Sequence, residues 1–162
     1  MSTAETLMLV AVFVLIGAAA ILAMAETALT RINRIKAMTM AEEKRRGSAA
    51  LVRLVEHPER FLNPVLLLVL LCHLVAATLI GIVAERLFGP VGVAIATAFE
   101  VVVVFVFAES LPKTWAVQHP ERAAILAAPL VSFITNLAPI RLLARGLIGL
   151  SNVILPGKGL KR

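Results

Sequence analysis

Aspartate and tyrosine are missing altogether from the 162-residue chain, cysteine occurs once, and aromatic residues make up 5%. Each scarcity excludes something. A lone Cys72 cannot form an intramolecular bridge, so this is no disulfide-stapled secreted module. Without aspartate, and with no His-Glu-x-x-His or Gly-x-Ser-x-Gly string, no nucleophile–base or zinc-hydrolase arrangement stands out, and the chain reads as a non-enzyme. The net charge of +6 is not interleaved with aromatics, so stacking platforms for nucleic acid are unsupported and no nucleic-acid partner is expected. Charged residues are only 16% of the chain, hydrophobic ones 60%, and the mean hydropathy is +0.94. Soluble domains lie nearer half apolar and a quarter charged. The fold class these values predict is an all-α membrane protein whose main partner is the lipid bilayer.

Leu7 to Ala25 carries no charge and spans roughly 28 Å as a helix at about 1.5 Å per residue. Pro64 to Ala84 is interrupted only by Cys72, His73 and Thr78, and Val91 to Ala108 only by Thr97 and Glu100. Each matches a hydrocarbon core of about 30 Å, and a helix can cross it because its backbone bonds close internally. Three transmembrane helices are expected, at about 7–28, 62–85 and 91–110. The stretch 120–155 is also apolar but holds Pro129, Pro139, Arg141, Arg145 and Gly146. It reads as a kinked amphipathic helix at the interface, with a fourth span as the alternative.

Basic residues set the orientation. Arg31, Arg34, Lys36, Lys44, Arg45, Arg46, Arg53 and Arg60 lie between the first two spans, and seven more follow the third, ending in Lys158, Lys161 and Arg162. The turn between the second and third spans holds only Glu85 and Arg86. The positive-inside rule puts the N-terminus outside and the C-terminus inside. Trp115 suits an interfacial anchor. A cleaved signal peptide is disfavoured, because Glu5 stands where basic residues would precede the apolar run.

Two strings repeat, His57-Pro58-Glu59-Arg60 and His119-Pro120-Glu121-Arg122, each with proline at a first helical position and glutamate in the first turn. Both read as helix starts. Residues 31–60 mix apolar and basic side chains and suit one or two short juxtamembrane helices on the cytoplasmic side, jointed at Gly47-Ser48.

Ionisable groups inside spans cost on the order of 3 kcal/mol on insertion scales, so each is a functional candidate. Glu26 and Glu109 end the first and third spans. His73 and Glu100 lie deeper, about 13 Å and 12 Å from the cytoplasmic ends at 1.5 Å per residue. At matching depth they suit a hydrogen-bonded pair, a proton-linked site, part of a cation site, or an ion pair that only locks helices. In a straight helix Glu100 and Glu109 project from opposite faces. Zinc ligation would need Cys72, His73 and Glu100, with the adjacent pair pointing about 100° apart.

The string Ala108-Glu109-Ser110-Leu111-Pro112-Lys113 resembles the Gly-Glu-x-x-Pro-Lys motif of the cyclin-M/CorC family of magnesium transport proteins, and Ala25-Glu26-Thr27-Ala28 is similar to that family's Ser-Glu-Thr-Ala. The resemblance covers nearly all of residues 7–155, and Thr27, Ser110, Pro112 and Lys113 fall within the motifs. It implies a homodimeric transmembrane domain over 1–155 in the cell (inner or plasma) membrane. It further implies Mg²⁺ efflux, with Na⁺ as coupling ion, and cytoplasmic CBS-type domains reached through a basic tail at 156–162. Metal positions implied are Glu109, Glu26 and the Ala108 backbone carbonyl, with His73 and Glu100 as further polar groups.

Three departures stand out. The family's motif serine is Ala25 here, and its second-span asparagines fall on Cys72 or His73 and on Ala76. Fewer oxygens predict weak Mg²⁺ binding, and His73 suits a softer divalent metal or a proton. Two alternatives follow: a non-transporting scaffold or sensor of the same fold, and proton-coupled transport through His73 and Glu100.

Overall fold

The computed structural model describes residues 1–154, and within them every regular element is helical. The basic tail at 156–162 lies outside the described residues. The first helix, α1 (Thr3–Arg31), starts earlier than its apolar run because Ser2 and Glu5 close a capping box. The Glu5 N–H donates to Ser2 Oγ at 3.3 Å and the Ser2 N–H to Glu5 Oε2 at 2.7 Å, satisfying two donors that a helix start leaves open. Glu5, read from the sequence only as evidence against a leader peptide, is thus part of the helix start.

Two short helices follow, α2 (Arg34–Glu42) and α3 (Ser48–Glu56), as residues 31–60 predicted. Asn33 caps α2 by accepting the Lys36 N–H at 2.8 Å. The joint is Gly47, at φ 80°. A Cβ there would lie 2.9 Å from the Ile125 carbonyl oxygen, so both backbone conformation and close approach require glycine.

From Pro58 the chain is helical to Gln118: α4 (Pro58–Val103), a π-helical segment (Val104–Ser110) and α5 (Leu111–Gln118). This run of 61 residues would be roughly 90 Å long if straight. It is not straight. Gly89 holds φ 68° and ψ −164°, a region essentially restricted to glycine. A Cβ on Gly92 would lie 3.0 Å from the Ala84 carbonyl oxygen, although eight residues along a straight helix separate atoms by about 12 Å. The chain therefore folds back at Gly89, giving two arms, 58–88 and 90–103. Phe61, Val65 and Val69 from one arm share a core with Ala116 of α5, both against Leu29 and Ile32 at the end of α1.

The remaining helices are α6 (Pro120–Asn136) and α7 (Ala138–Ile154), which bend by 78° at Leu137. Pro139 has no N–H for the Thr135 carbonyl and ends the preceding helix. Pro129 and Gly146, also counted as breakers in the sequence, lie inside continuous helices. Both His-Pro-Glu-Arg strings start helices as expected. His57 and His119 are N-caps with nearly the same backbone, φ/ψ −133°/68° and −129°/57°.

The core is built around the C-terminal half of α1, where Ala25, Ala28, Ala37, Ala116, Ala123 and Ala128 have no exposed surface. Small side chains let these helices approach closely, which is how packing is gained where lipid gives no hydrophobic drive. Many large apolar side chains, among them Phe13, Leu70, Val91, Ile95 and Phe99, face outward, the pattern of a chain solvated by lipid.

Ion pairs tie the juxtamembrane layer together. Glu121 at the start of α6 meets Lys36 of α2 at 2.8 Å and Arg45 at 3.2 Å, and Arg34 meets Glu56 at 3.1 Å. Lys36 and then Arg45 hold the Glu121 carboxyl below its ordinary 4.5. A depressed carboxylate contributes stability above its unfolded pKa and loses it as pH falls through the folded value. Glu121→Gln is therefore expected to lower the Tm slightly at pH 7. That difference fades as pH falls from the ordinary carboxylate range through the lowered folded value, and it shrinks in high salt because the pair is exposed. Thermal unfolding in detergent across pH and salt checks this.

Candidate functional site

The two motif glutamates are far apart in sequence and close in space. Glu26 lies near the end of α1, Glu109 in the π-helical segment that packs on α1. Lys113 of α5 pairs with Glu109. Its Nζ is 2.6 Å from Glu109 Oε2, and the charge of Glu26 also acts on it. Glu109 and Lys113 thus form one ion pair, with Glu26 on the helix packed against it, and all three are half-buried.

The local backbone follows from Pro112. Proline lacks the N–H that an α-helix would direct at the carbonyl four residues earlier, and its ring crowds that carbonyl. That carbonyl belongs to Ala108. The turns just before Pro112 widen into the π-helical segment, with the Leu111 N–H donating to the Val106 oxygen. Segments of this kind are rare and cluster at functional sites. Ala108 is fully buried, its carbonyl without an α-helical donor. On α1, Thr30 Oγ1 donates to the carbonyl oxygens of Glu26 at 2.8 Å and Thr27 at 3.0 Å.

Of the residues singled out in the sequence, Glu26, Thr27, Ala108, Glu109, Pro112 and Lys113 fall in this one region, while the neighbouring Ser110 is exposed. The straight-helix argument about Glu100 and Glu109 does not hold here, because the π-helical segment separates them. Glu100 is only 7% exposed. His73 is half-buried, and its Nε2 is fully covered with no hydrogen-bond partner. At matching depth the two do not meet: among the described residues no ion pair or hydrogen bond joins them. Depth along two helices fixes height and leaves rotation about each axis open. No three His, Cys, Asp or Glu residues converge as a metal cluster among the described residues. Trp115 stacks on His119 with ring centroids 5.5 Å apart.

Sequence reasoning missed the Lys113–Glu109 ion pair and the π-helical segment. Pro112 was the available signal for the second. It also missed a cavity of about 500 Å³ among α3, α4, α6 and α7, into which Arg53, Arg60, Arg141 and Arg145 converge. Those arginines had been read as orientation signals, as part of the juxtamembrane helices and, for Arg141 and Arg145, as interruptions of an apolar stretch, never as one cluster.

An all-helical fold with outward-facing apolar helices long enough to cross a bilayer defines a multi-pass membrane domain. The profile of the cyclin M transmembrane N-terminal domain matches residues 9–161, and the chain belongs to that family. It is 39% identical over 129 residues to the UPF0053 inner membrane protein YfjD of Escherichia coli (strain K12), covering 80% of this chain and 29% of that protein. It is 30% identical over 107 residues to a UPF0053 protein of Haemophilus influenzae (strain ATCC 51907 / DSM 11121 / KW20 / Rd), covering 66% of this chain and 26% of that protein. The matched region is thus less than a third of either relative's length.

Proposed function

We propose that this domain carries divalent cations across the cell (inner or plasma) membrane, most simply as Mg²⁺ efflux by a homodimer, with Na⁺ as coupling ion. The basic, juxtamembrane side faces the cytoplasm. The observation that carries the reading is the Glu109–Lys113 pair, next in the chain to the buried Ala108 and its carbonyl, on a segment packed against the α1 helix that bears Glu26. The carboxylates and the carbonyl are hard oxygen donors, which Mg²⁺ requires. Mg²⁺ gives up water reluctantly and is commonly held by one or two carboxylates with several waters retained. Two glutamates and one carbonyl fit such a hydrated ion. Lys113 occupies the Glu109 carboxylate when no ion is bound and gives way when one arrives. CBS-type domains, as partners of this domain, would lie on the same side.

A second reading, a non-transporting scaffold or sensor, is favoured by one observation. Ala25 beside Glu26 is fully buried and offers only a methyl group, so the donor set is thin. Calorimetric titration in detergent with Mg²⁺, Mn²⁺, Co²⁺ and Zn²⁺, paired with flux in liposomes, separates the two. Transport predicts Mg²⁺ binding and flux. Silence for every metal at millimolar concentration, together with no flux, leaves the scaffold. Zn²⁺ binding stronger than Mg²⁺ would move the cargo toward the softer metals that His73 suits.

A further inference from the structure

We infer that the arginine-lined cavity between α4 and α7 is a binding site for an anionic phospholipid, with the phosphodiester among the arginines and an acyl chain along the adjoining groove. The inference is independent of any cation transport. Four arginines, Arg53, Arg60, Arg141 and Arg145, line the cavity with a single acidic residue, Glu59. Glu59 is itself 3.5 Å from His57 Nδ1. Among the described residues none of the four arginines is in an ion pair. Arg141 donates to Asn136 Oδ1 at 3.3 Å. Guanidinium forks match phosphate oxygens in shape and charge, and a basic pocket between helices at the membrane border suits a lipid headgroup.

The continuation of the cavity separates a lipid from a soluble phosphate. A second cavity of about 200 Å³ shares Asn63, Ala144 and Ile148 with the first and adds Leu67, Leu147 and Ser151. Leu67 is one turn beyond Asn63 along α4, into its apolar run, so the polar chamber opens into a mainly apolar groove directed along the span. A charged head joined to a hydrocarbon tail has that sequence of chemistry. The flanking outer surface of α7 is apolar as well, with Leu142, Leu143 and Leu150 exposed.

The test uses the whole chain purified in detergent and native mass spectrometry with phosphatidylglycerol, cardiolipin, phosphatidylcholine or inorganic phosphate added. Bound phosphatidylglycerol or cardiolipin is expected to survive activation that strips phosphatidylcholine. R60Q/R145Q should weaken anionic-lipid binding about tenfold or more, the equivalent of losing one or two charge-assisted hydrogen bonds. R46Q, outside the cavity, should leave it unchanged. Should the double variant fail to fold, L147S in the apolar groove serves instead, and must weaken lipid binding. Equal retention of phosphatidylcholine, undiminished binding by R60Q/R145Q or by L147S, or inorganic phosphate competing at the lipid's own concentration would each overturn the assignment.

Discussion

Glu109→Gln is expected to weaken Mg²⁺ binding roughly 10–100-fold, the range seen when a group supporting a bound metal is lost, and to reduce flux in liposomes in proportion. The fold should survive. Lys113 loses its 2.6 Å partner but its side chain is 40% exposed, so the freed ammonium can extend to the interface and stay hydrated. Glutamine keeps the shape and one carbonyl oxygen while removing the charge, so a loss of binding with unchanged Tm assigns the effect to electrostatics at the site. Unchanged binding with a lowered Tm would make the Glu109–Lys113 pair a structural clip, and would favour the scaffold reading.

Gly89→Ala is expected to destabilise the domain by about 1–3 kcal/mol, the cost of holding a side chain in that backbone region. Nothing lies within 4 Å of a Cβ built there, so the penalty belongs to the backbone and no repacking relieves it. Gly92→Val acts by contact instead. Its Cβ would collide with Phe88 Cβ and lie 3.0 Å from the Ala84 oxygen, forcing the two arms apart where the chain turns. Gly81→Ala is the control, since the space around it is open, and alanine in a helix interior is at worst neutral. Chemical denaturation in detergent should rank the three, with Gly81→Ala at or above the unsubstituted protein. If Gly89→Ala matched Gly81→Ala, the reversal at Gly89 would not be a glycine-dependent turn.

Much of this fold is written locally. Apolar run length gave the helices, Pro58 and Pro120 their starts, and Gly47 the joint between α2 and α3, because each signal acts over a few residues. The reversal at Gly89-Pro90 was legible too, as a gap between apolar runs, although the helix continues almost to the glycine on both sides. What stayed hidden depends on rotation and on partners distant in sequence. Matching depth suggested that His73 and Glu100 meet, but the heading of a side chain around its helix is set by packing against α1. The arginines of α3, α4 and α7 became a chamber only once α7 bent back at Leu137. For the candidate site, the motif residues were legible as strings. That the α1 end bearing Glu26 would pack against the segment bearing Glu109 was not, because it depends on partners distant in sequence.

The central claim is that Glu26 and Glu109 act as one cation site. A double-mutant cycle on Mg²⁺ affinity, with Glu26→Gln, Glu109→Gln and both together, tests it most directly. If the two form one site, the double variant binds little more weakly than either single variant, with a coupling of about 1 kcal/mol or more. Strictly additive losses, or no loss from Glu26→Gln, would contradict the account.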